Sequence, residues 1–293
     1  MWMEGSTSNA YRMWFQHMDI NRIPFYQYNT IIVGTGAAGL NAAVTLHKLG
    51  QKNIALITEG RYMGTSRNTG SDKQTYYKMT QCGSEPDSVR KMAETLFDGG
   101  CVDGDIAMAE AAGSLRAFYH LVDIGVPFPF NKSGEYVGYK TDHDPLKRGI
   151  SAGPLTSKYM TECLERQAEE RGIPFFDGYQ AVRLLTEEKN GEKWAAGIIA
   201  LNKRKAASAD ERYAVFSAVN IIWATGGEAG MYQASVYPVS QTGGMGILLE
   251  AGAVAKNLTE SQFGIASVKH RWNLSETFQQ CLPRYISAEQ DGS

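Results

Sequence analysis

The stretch that decides the fold begins at residue 30 and reads Thr30-Ile31-Ile32-Val33-Gly34-Thr35-Gly36-Ala37-Ala38-Gly39. Its apolar start predicts a short strand buried on both faces, as in a parallel sheet. Gly34 then permits a tight turn, Gly36 lets a phosphate approach the backbone, and Gly39 lets the next helix pack closely. The residues of this turn that we expect to bind the diphosphate of a dinucleotide are Gly34, Gly36, Ala37, Ala38 and Gly39.

The residues after this turn continue the pattern of a dinucleotide-binding unit. A helix is predicted over 37–49, with its N-terminal end directed at the phosphates and with Gly50 as its stop. A second apolar run, 53–58, predicts a parallel strand that ends at Glu59, twenty positions after Gly39. A carboxylate at this place accepts hydrogen bonds from the adenosine ribose. The alternative is a glycine-rich turn without a ligand, but strand, turn, helix, strand and acid all follow in order.

A loop rich in small polar residues follows Glu59 and spans 60–72. Its glycines and hydroxyl groups offer close backbone approach and many hydrogen-bond donors, as a phosphate and a ribityl chain require. A plain solvent loop is the alternative interpretation. The candidate cofactor-binding residues of this loop are Gly60, Gly64, Thr65, Ser66, Thr69, Gly70, Ser71 and Asp72.

The rest of the chain alternates helical and strand-like segments. Helices are predicted at 87–122 and 159–171, with a loop rich in proline and glycine at 127–153 between them. The later strands are predicted at 181–185, 194–201, 213–216 and 220–223, with a hairpin turn at Asn190-Gly191. The last strand runs into the small residues Ala224-Thr225-Gly226-Gly227.

Composition narrows the class of function. The 293 residues are 43% hydrophobic and 20% charged, which is typical of a globular protein. The net charge of −2 does not favour nucleic acid as a partner, and the densest basic cluster, 203–205, is interpreted as a solvated loop. Four widely spaced cysteines and five histidines without metal-ligand spacing predict no metal and a reducing, cytoplasmic location. No apolar stretch approaches the roughly 20 residues of a membrane span.

These elements together resemble the flavoprotein family that includes succinate dehydrogenase, fumarate reductase, soluble fumarate-reductase-like enzymes and L-aspartate oxidase. The resemblance covers about residues 28–284. It rests on the glycine turn with Glu59, the small-residue loop and three strands that lead into 224–227. The further matching segments are Ser240 to Gly246, Glu250-Ala251-Gly252-Ala253 and Asn257-Leu258-Thr259-Glu260-Ser261-Gln262-Phe263.

The resemblance implies an α/β fold: a doubly wound, Rossmann-like FAD-binding domain with a small antiparallel β insertion and the beginning of a capping domain. The implied divisions are an N-terminal extension at 1–27, the FAD-binding domain at 28–264 and the start of the capping domain at 265–293. The cofactor contacts that it adds are the backbone of Ala181 and Val182 near the adenine, together with Ala224, Thr225, Gly226 and Gly227. The implied activity is hydride transfer between flavin N5 and a small organic substrate, with a possible electron-transfer partner.

The sequence departs from the family pattern at three places. Thr65 stands where the membrane-bound members have the histidine that bonds FAD, so non-covalent FAD is expected. Gly264 replaces the histidine of a Gln-Phe-His-Pro-Thr element, and the segment 240–244 lacks the aspartate of a Thr-Gly-Asp-Gly element. A dicarboxylate needs donors or cations for both of its charges, and the replaced histidine is one such donor. Together with the altered 240–244 element, its loss predicts a substrate other than a C4 dicarboxylate.

The catalytic residues are not assigned by the sequence. In the family a capping domain supplies the catalytic arginine, and neither Arg271 nor Arg284 lies in a matching motif. We therefore expect the 293-residue chain to be inactive by itself. Two other interpretations stay open, namely a non-catalytic FAD-binding fragment or degenerate homologue, and an NAD-dependent dehydrogenase.

Overall fold

The structure is a computed structural model that describes most of the chain. The described residues are 20–69, 74–83, 85–100, 102–141, 144–204, 209–227, 243–256, 266–267, 272–273, 284, 286 and 289. The helices are α1 (Ala37–Lys48), α2 (Thr65–Asn68), α3 (Val89–Asp98), α4 (Gly104–Asp123), α5 (Thr156–Glu170), α6 (Ala209–Arg212) and α7 (Met245–Glu250), after a 3-10 turn at Ile20–Arg22. The strands are β1 (Phe25–Val33), β2 (Ile54–Thr58), β3 (Tyr76–Tyr77), β4 (Gly149–Ile150), β5 (Phe175–Asp177), β6 (Tyr179–Lys189), β7 (Glu192–Asn202), β8 (Tyr213–Trp223), β9 (Ala266–Ser267) and β10 (Trp272–Asn273).

Six strands form one mixed sheet in the order β5-β2-β1-β8-β7-β6. The neighbours among β5, β2, β1 and β8 pair in parallel, whereas β7 is antiparallel to both β8 and β6. The hairpin between β6 and β7 turns at Asn190 and Gly191, whose φ angles of 54° and 80° suit a type I′ turn. The predicted α/β class, with a parallel sheet and antiparallel strands, is confirmed.

Strand β8 joins the parallel and the antiparallel parts of this sheet. The strands predicted separately at 213–216 and 220–223 are one strand, since Phe216 and Ser217 pair with β7 on one side and with β1 on the other. The predicted antiparallel insertion is therefore continuous with the sheet that carries the glycine turn. Its position brings the end of β8 beside the end of β1.

Strand β1 begins at Phe25, inside the segment predicted as an N-terminal extension (1–27). Residues 25–27 pair in register with residues 215–217 of β8, and Ile23 is buried. Cross-strand pairing thus extends the sheet unit upstream of residue 28, where the sequence alone showed no apolar run. The segment 265–293, predicted as the start of a capping domain, lies mostly outside the described residues.

The helical region predicted at 87–122 is divided into α3 and α4. Gly100 has a φ of 78° and interrupts the helix. The side chains of Ser88 and Asp103 accept backbone hydrogen bonds at the N-termini of α3 and α4. Two separate caps therefore begin two separate helices.

The core occupies both faces of the sheet. Ile32 is buried with residues of α1, α4 and α5, including Leu40, Phe118 and Leu164. The neighbouring Ile31 is buried on the opposite face because successive side chains of a strand point in opposite directions. The glycine turn thus follows a strand that is packed on both sides, which fixes its position.

None of the described helices combines the length and the hydropathy that crossing a membrane requires.

Candidate dinucleotide site

A cavity of about 510 Å³ lies at the carboxyl ends of β1, β2 and β8. Ligands of α/β sheets bind at this edge, and the volume is within the usual range of small-molecule sites. The predicted site residues that line it are Gly34, Gly36, Ala37, Ala38, Glu59, Gly60, Gly64, Thr65, Ser66, Ala224, Thr225 and Gly226. The sequence prediction thus converges on one cavity.

The other predicted site residues lie elsewhere. Gly39 and Gly227 are outside the cavity lining, as is Thr69, whose hydroxyl donates to the carbonyl of Thr65 at 2.8 Å. Val182 packs on a separate core cluster with Leu185. Gly70, Ser71 and Asp72 lie outside the described residues.

The turn between β1 and α1 excludes side chains at two glycines. Gly34 has a φ of 111°, and a Cβ there would lie 2.2 Å from the carbonyl oxygen of Ala224. A Cβ on Gly39 would lie 2.1 Å from the carbonyl oxygen of Gly34. Gly39 therefore supports the site through close packing of α1 rather than by lining the cavity.

Two glycine backbones lie side by side in the cavity wall. Gly36 caps α1 without a side-chain hydrogen bond, and a Cβ on Gly64 would lie 3.7 Å from the Cα of Gly36. The N–H of Ala37, in the first turn of α1, donates to Ser66 Oγ at 3.3 Å. This backbone cradle, at the positive end of a twelve-residue helix, fits a diphosphate.

Buried hydroxyl groups join the glycine turn to β2 and to the loop that follows it. Thr35 Oγ1 lies 3.0 Å from Thr58 Oγ1 and 3.4 Å from the carbonyl oxygen of Arg61. Both threonines are buried, at 5% and 7% exposure. The hydroxyl of Thr35 thus links the glycine turn both to β2 and to the loop that follows it.

The basic cluster interpreted as a solvated loop is a paired part of the cavity rim. The ammonium group of Lys203 pairs with Glu59, and the guanidinium of Arg204 pairs with Asp177. Asp177 also accepts the backbone N–H of Arg61 at 2.9 Å. Both side chains are exposed in a turn, as interpreted, with exposed fractions of 45% for Lys203 and 64% for Arg204. Their pairing with carboxylates at the ends of β2 and β5 was not predicted.

A second group of charges lies behind the loop wall of the cavity. Glu165 of α5 accepts hydrogen bonds from both Arg61 and Arg67, and Arg61 also pairs with Glu169. Burial alone would lower the pKa of Arg61, but its hydrogen bonds to the two glutamates outweigh that effect and raise the pKa. The guanidinium of Arg61 therefore stays charged.

Sequence reasoning missed almost half of the cavity wall, although Ala181, expected near the adenine, does line it. The lining residues that were not predicted are Val33, Thr35, Ile57, Thr58, Met63, Tyr179, Gln180, Trp223, Gly243, Gly244 and Ile247. Trp223 could have been found, because it directly precedes the predicted Ala224. A Cβ on Gly244 would lie 2.7 Å from Trp223 Nε1, so this glycine is required for close packing over the indole.

Most of the residues at which the sequence departs from the family's substrate motifs are not among the described residues. Gly264, Arg271 and the segment 240–242 lie outside the described residues, and Arg284 is exposed. Among the described residues no cluster of three or more histidines, cysteines or carboxylates is arranged to hold a metal ion. The described site is a dinucleotide cradle without an assigned catalytic group.

The fold and the cradle define a nucleotide-binding α/β domain of the Rossmann type. Residues 29–281 match the family described as FAD binding domain, and the chain belongs to this family. FAD is accordingly its cofactor.

Curated relatives agree with this assignment. The chain is 28% identical over 242 residues to an L-aspartate oxidase of Agrobacterium fabrum, covering 80% of this chain and 42% of the relative. It is 24% identical over 257 residues to a succinate dehydrogenase flavoprotein subunit of Coxiella burnetii, covering 81% and 40%. The chain thus spans about two-fifths of the length of these relatives.

Solved structures share the fold. The quinol fumarate reductase of E. coli aligns with a TM-score of 0.65 and 21% identity, covering 78% of this chain and 37% of that chain. The Sdh1 complex of Mycobacterium smegmatis aligns with a TM-score of 0.67 and 19% identity, covering 78% and 39%. At this identity the likeness concerns the fold.

Proposed function

We propose that the chain is the FAD-binding part of an oxidoreductase that transfers hydride between flavin N5 and a small organic substrate. The observation that carries the proposal is the backbone cradle of Gly36 and Gly64 at the N-terminus of α1, in a chain of the FAD binding domain family. When bound, FAD supplies the two-electron chemistry, and protein groups position it and tune its charge.

Each wall of the cavity has a separate part in this proposal. The N–H groups at the start of α1 hold the diphosphate, and Ser66 can turn its hydroxyl from Ala37 to a phosphate oxygen. Glu59 keeps one oxygen on Lys203 and uses the other for the adenosine ribose. The wall at 224–226 excludes water from the opposite side of the dinucleotide.

The experiment that tests the proposal separates an enzyme from a binding module. The purified chain, and the same chain extended by its natural neighbouring sequence, are examined for flavin absorption at about 370 and about 450 nm. Each is then mixed with candidate substrates, and the loss of the 450 nm band is followed without oxygen. Reduction by a substrate supports the oxidoreductase. Flavin binding without reduction by any substrate in either form supports the alternative, a non-catalytic FAD-binding module.

We predict that FAD is held without a covalent bond. Thr65 has no imidazole with which to form the bond that the membrane-bound family members carry. Acid precipitation of the loaded protein should release all of the yellow colour into the supernatant. A Thr65→Ala variant is the control and should release flavin equally. Flavin that stays on the washed precipitate of the parent chain would contradict the prediction.

We also propose that the substrate is not a C4 dicarboxylate. Gly264 removes the histidine that would hold a substrate carboxylate, and an unpaired desolvated charge costs several kcal/mol. The missing aspartate next to Gly243 is a second departure from the family pattern. The relatives named L-aspartate oxidase favour the opposite candidate, L-aspartate. Fumarate should fail to reoxidise the reduced flavin of the extended protein, and L-aspartate should fail to reduce the oxidised flavin. Rapid turnover of either at millimolar concentration would refute this proposal.

The remaining parts of the proposal concern the domain bounds of the chain and the molecules with which it exchanges electrons. We propose residues 25–264 as the FAD-binding domain and 265–293 as the beginning of a capping domain. An electron-transfer partner or a second substrate is required, because a flavin that accepts hydride must pass the electrons on. A cytoplasmic location and the absence of a nucleic acid partner stay predictions.

A further inference from the structure

The loop 59–68, termed here the cavity loop, forms one wall of the cavity but has little core of its own. Its short helix α2 contains no buried residue. Two of its side chains, Arg61 and Arg67, are directed to α5 on the side away from the cavity and are only 18% and 14% exposed. The contacts of these arginines therefore hold the wall in place.

Glu165 lies between the two arginines. One carboxylate oxygen, Oε1, accepts from Arg61 Nε, and the other, Oε2, accepts from Arg67 Nη2. The Glu165 side chain is 10% exposed, so these contacts are largely shielded from water. A single buried carboxylate thus joins both halves of the cavity loop to α5.

Arg61 and Arg67 also contact residues other than Glu165. The guanidinium of Arg61 lies 4.1 Å from the ring centroid of Phe175, and its backbone N–H donates to Asp177. Arg67 lies 3.6 Å from Glu162. The arginines are therefore neutralised by glutamates, and the diphosphate is left to the backbone N–H groups of α1.

We propose that Glu165 is a positioning residue of the dinucleotide site, which it keeps in shape by holding Arg61 and Arg67 and through them the cavity loop. The inference rests on the proposed function of the cavity. Loss of the Glu165 charge removes the one shielded carboxylate that the two guanidinium groups share, and breaking such a pair is strongly unfavourable. Arg61 then keeps only Glu169 and Arg67 only Glu162, which are 54% and 43% exposed and belong to separate pairs. The loop then separates from α5, and Gly64 and Ser66 leave the cradle.

The test compares two isosteric changes in the 293-residue chain. Glu165→Gln should weaken FAD binding about tenfold or more in an equilibrium titration. It should also speed trypsin cleavage after Arg61 and Arg67 in the FAD-free protein about tenfold, as identified by mass spectrometry. Asp87→Asn is the matched control, because Asp87 is a buried carboxylate with two hydrogen bonds to Arg148, at 2.7 and 2.9 Å.

The control separates positioning from general stability. Asp87→Asn should lower the urea midpoint yet leave the Kd for FAD and both cleavage rates within about twofold, since Arg148 does not contact the cavity loop. Equal Kd values for Glu165→Gln and the parent chain, or equal weakening by the two variants, would overturn the proposal. Arg67→Gln breaks the contact from the loop side and should weaken FAD binding and speed cleavage after Arg61 in the same way if Glu165→Gln does not fold.

Failure of this inference is distinct from failure of the proposed function. If the parent chain does not bind FAD, the proposed function is wrong, while the cleavage rates still measure whether Glu165 holds the loop. If the parent binds FAD and Glu165→Gln binds it equally, only the positioning role is wrong.

Discussion

Gly36→Val is expected to raise the Kd of the chain for FAD by about 100-fold or more, which corresponds to about 2.7 kcal/mol. The backbone of Gly36 has a φ of −75° and a ψ of −177°, which valine adopts without strain. A Cβ at Gly36 would lie 3.4 Å from Ser66 Oγ, at ordinary van der Waals contact, so the fold should tolerate the change. The added methyl groups would instead occupy the space of the diphosphate. Flavin fluorescence titration of both proteins measures the effect.

Gly113→Val is the matched control for this prediction. Gly113 lies within α4, and a Cβ there would meet no described atom within 4 Å. The control should leave the Kd unchanged, because Gly113 is remote from the cavity lining. Unimpaired binding by the Gly36→Val variant, with a native unfolding midpoint, would mean that the diphosphate lies elsewhere.

Gly34→Ala is expected to lower the free energy of unfolding by about 4 kcal/mol or to prevent folding. The backbone of Gly34 has a φ of 111°, which strains an L side chain, and its Cβ would lie 2.2 Å from the carbonyl oxygen of Ala224. That oxygen belongs to the backbone next to β8 and cannot move without disturbing the sheet. Urea unfolding of the parent and the variant measures the loss.

Gly50→Ala separates the two causes of this loss. Gly50 has a similar φ of 100°, but a Cβ there would meet no described atom within 4 Å. It should therefore lower the free energy of unfolding by only about 1–2 kcal/mol, from backbone strain alone. Equal losses at Gly34 and Gly50 would contradict close packing of the glycine turn against Ala224.

The part of the site that is formed by residues close together in the sequence could be predicted from it. The strand, the glycine turn, helix α1, strand β2 and Glu59 follow one another within 30 residues, and each imposes its own pattern of apolar and small residues. The apolar strand before 224–226 was also predicted from its pattern, whereas the place of 224–226 in the cavity wall was expected from the family resemblance. These segments converge on one cavity because β1 pairs with both β2 and β8.

The contacts between distant residues could not be predicted in the same way. Glu165 lies 104 positions from Arg61, and Lys203 lies 144 positions from Glu59. In the sequence these residues look like ordinary charges on a helix surface and in a loop, and only the sheet order brings them to the cavity. The continuity of β8 was missed for a related reason. Residues 217–219 fell between the two predicted strands, while the pairing of Ser217 and Ala218 with β1 keeps this segment extended.

The most direct test of the central claim is a crystal structure of the chain with FAD bound. We predict the diphosphate within hydrogen-bond distance of the N–H groups at Gly36 and Ala37, the adenosine ribose at Glu59, and the cofactor against 224–226. FAD bound with its diphosphate away from the N-terminus of α1, or with no contact to Glu59, would contradict this account of the site.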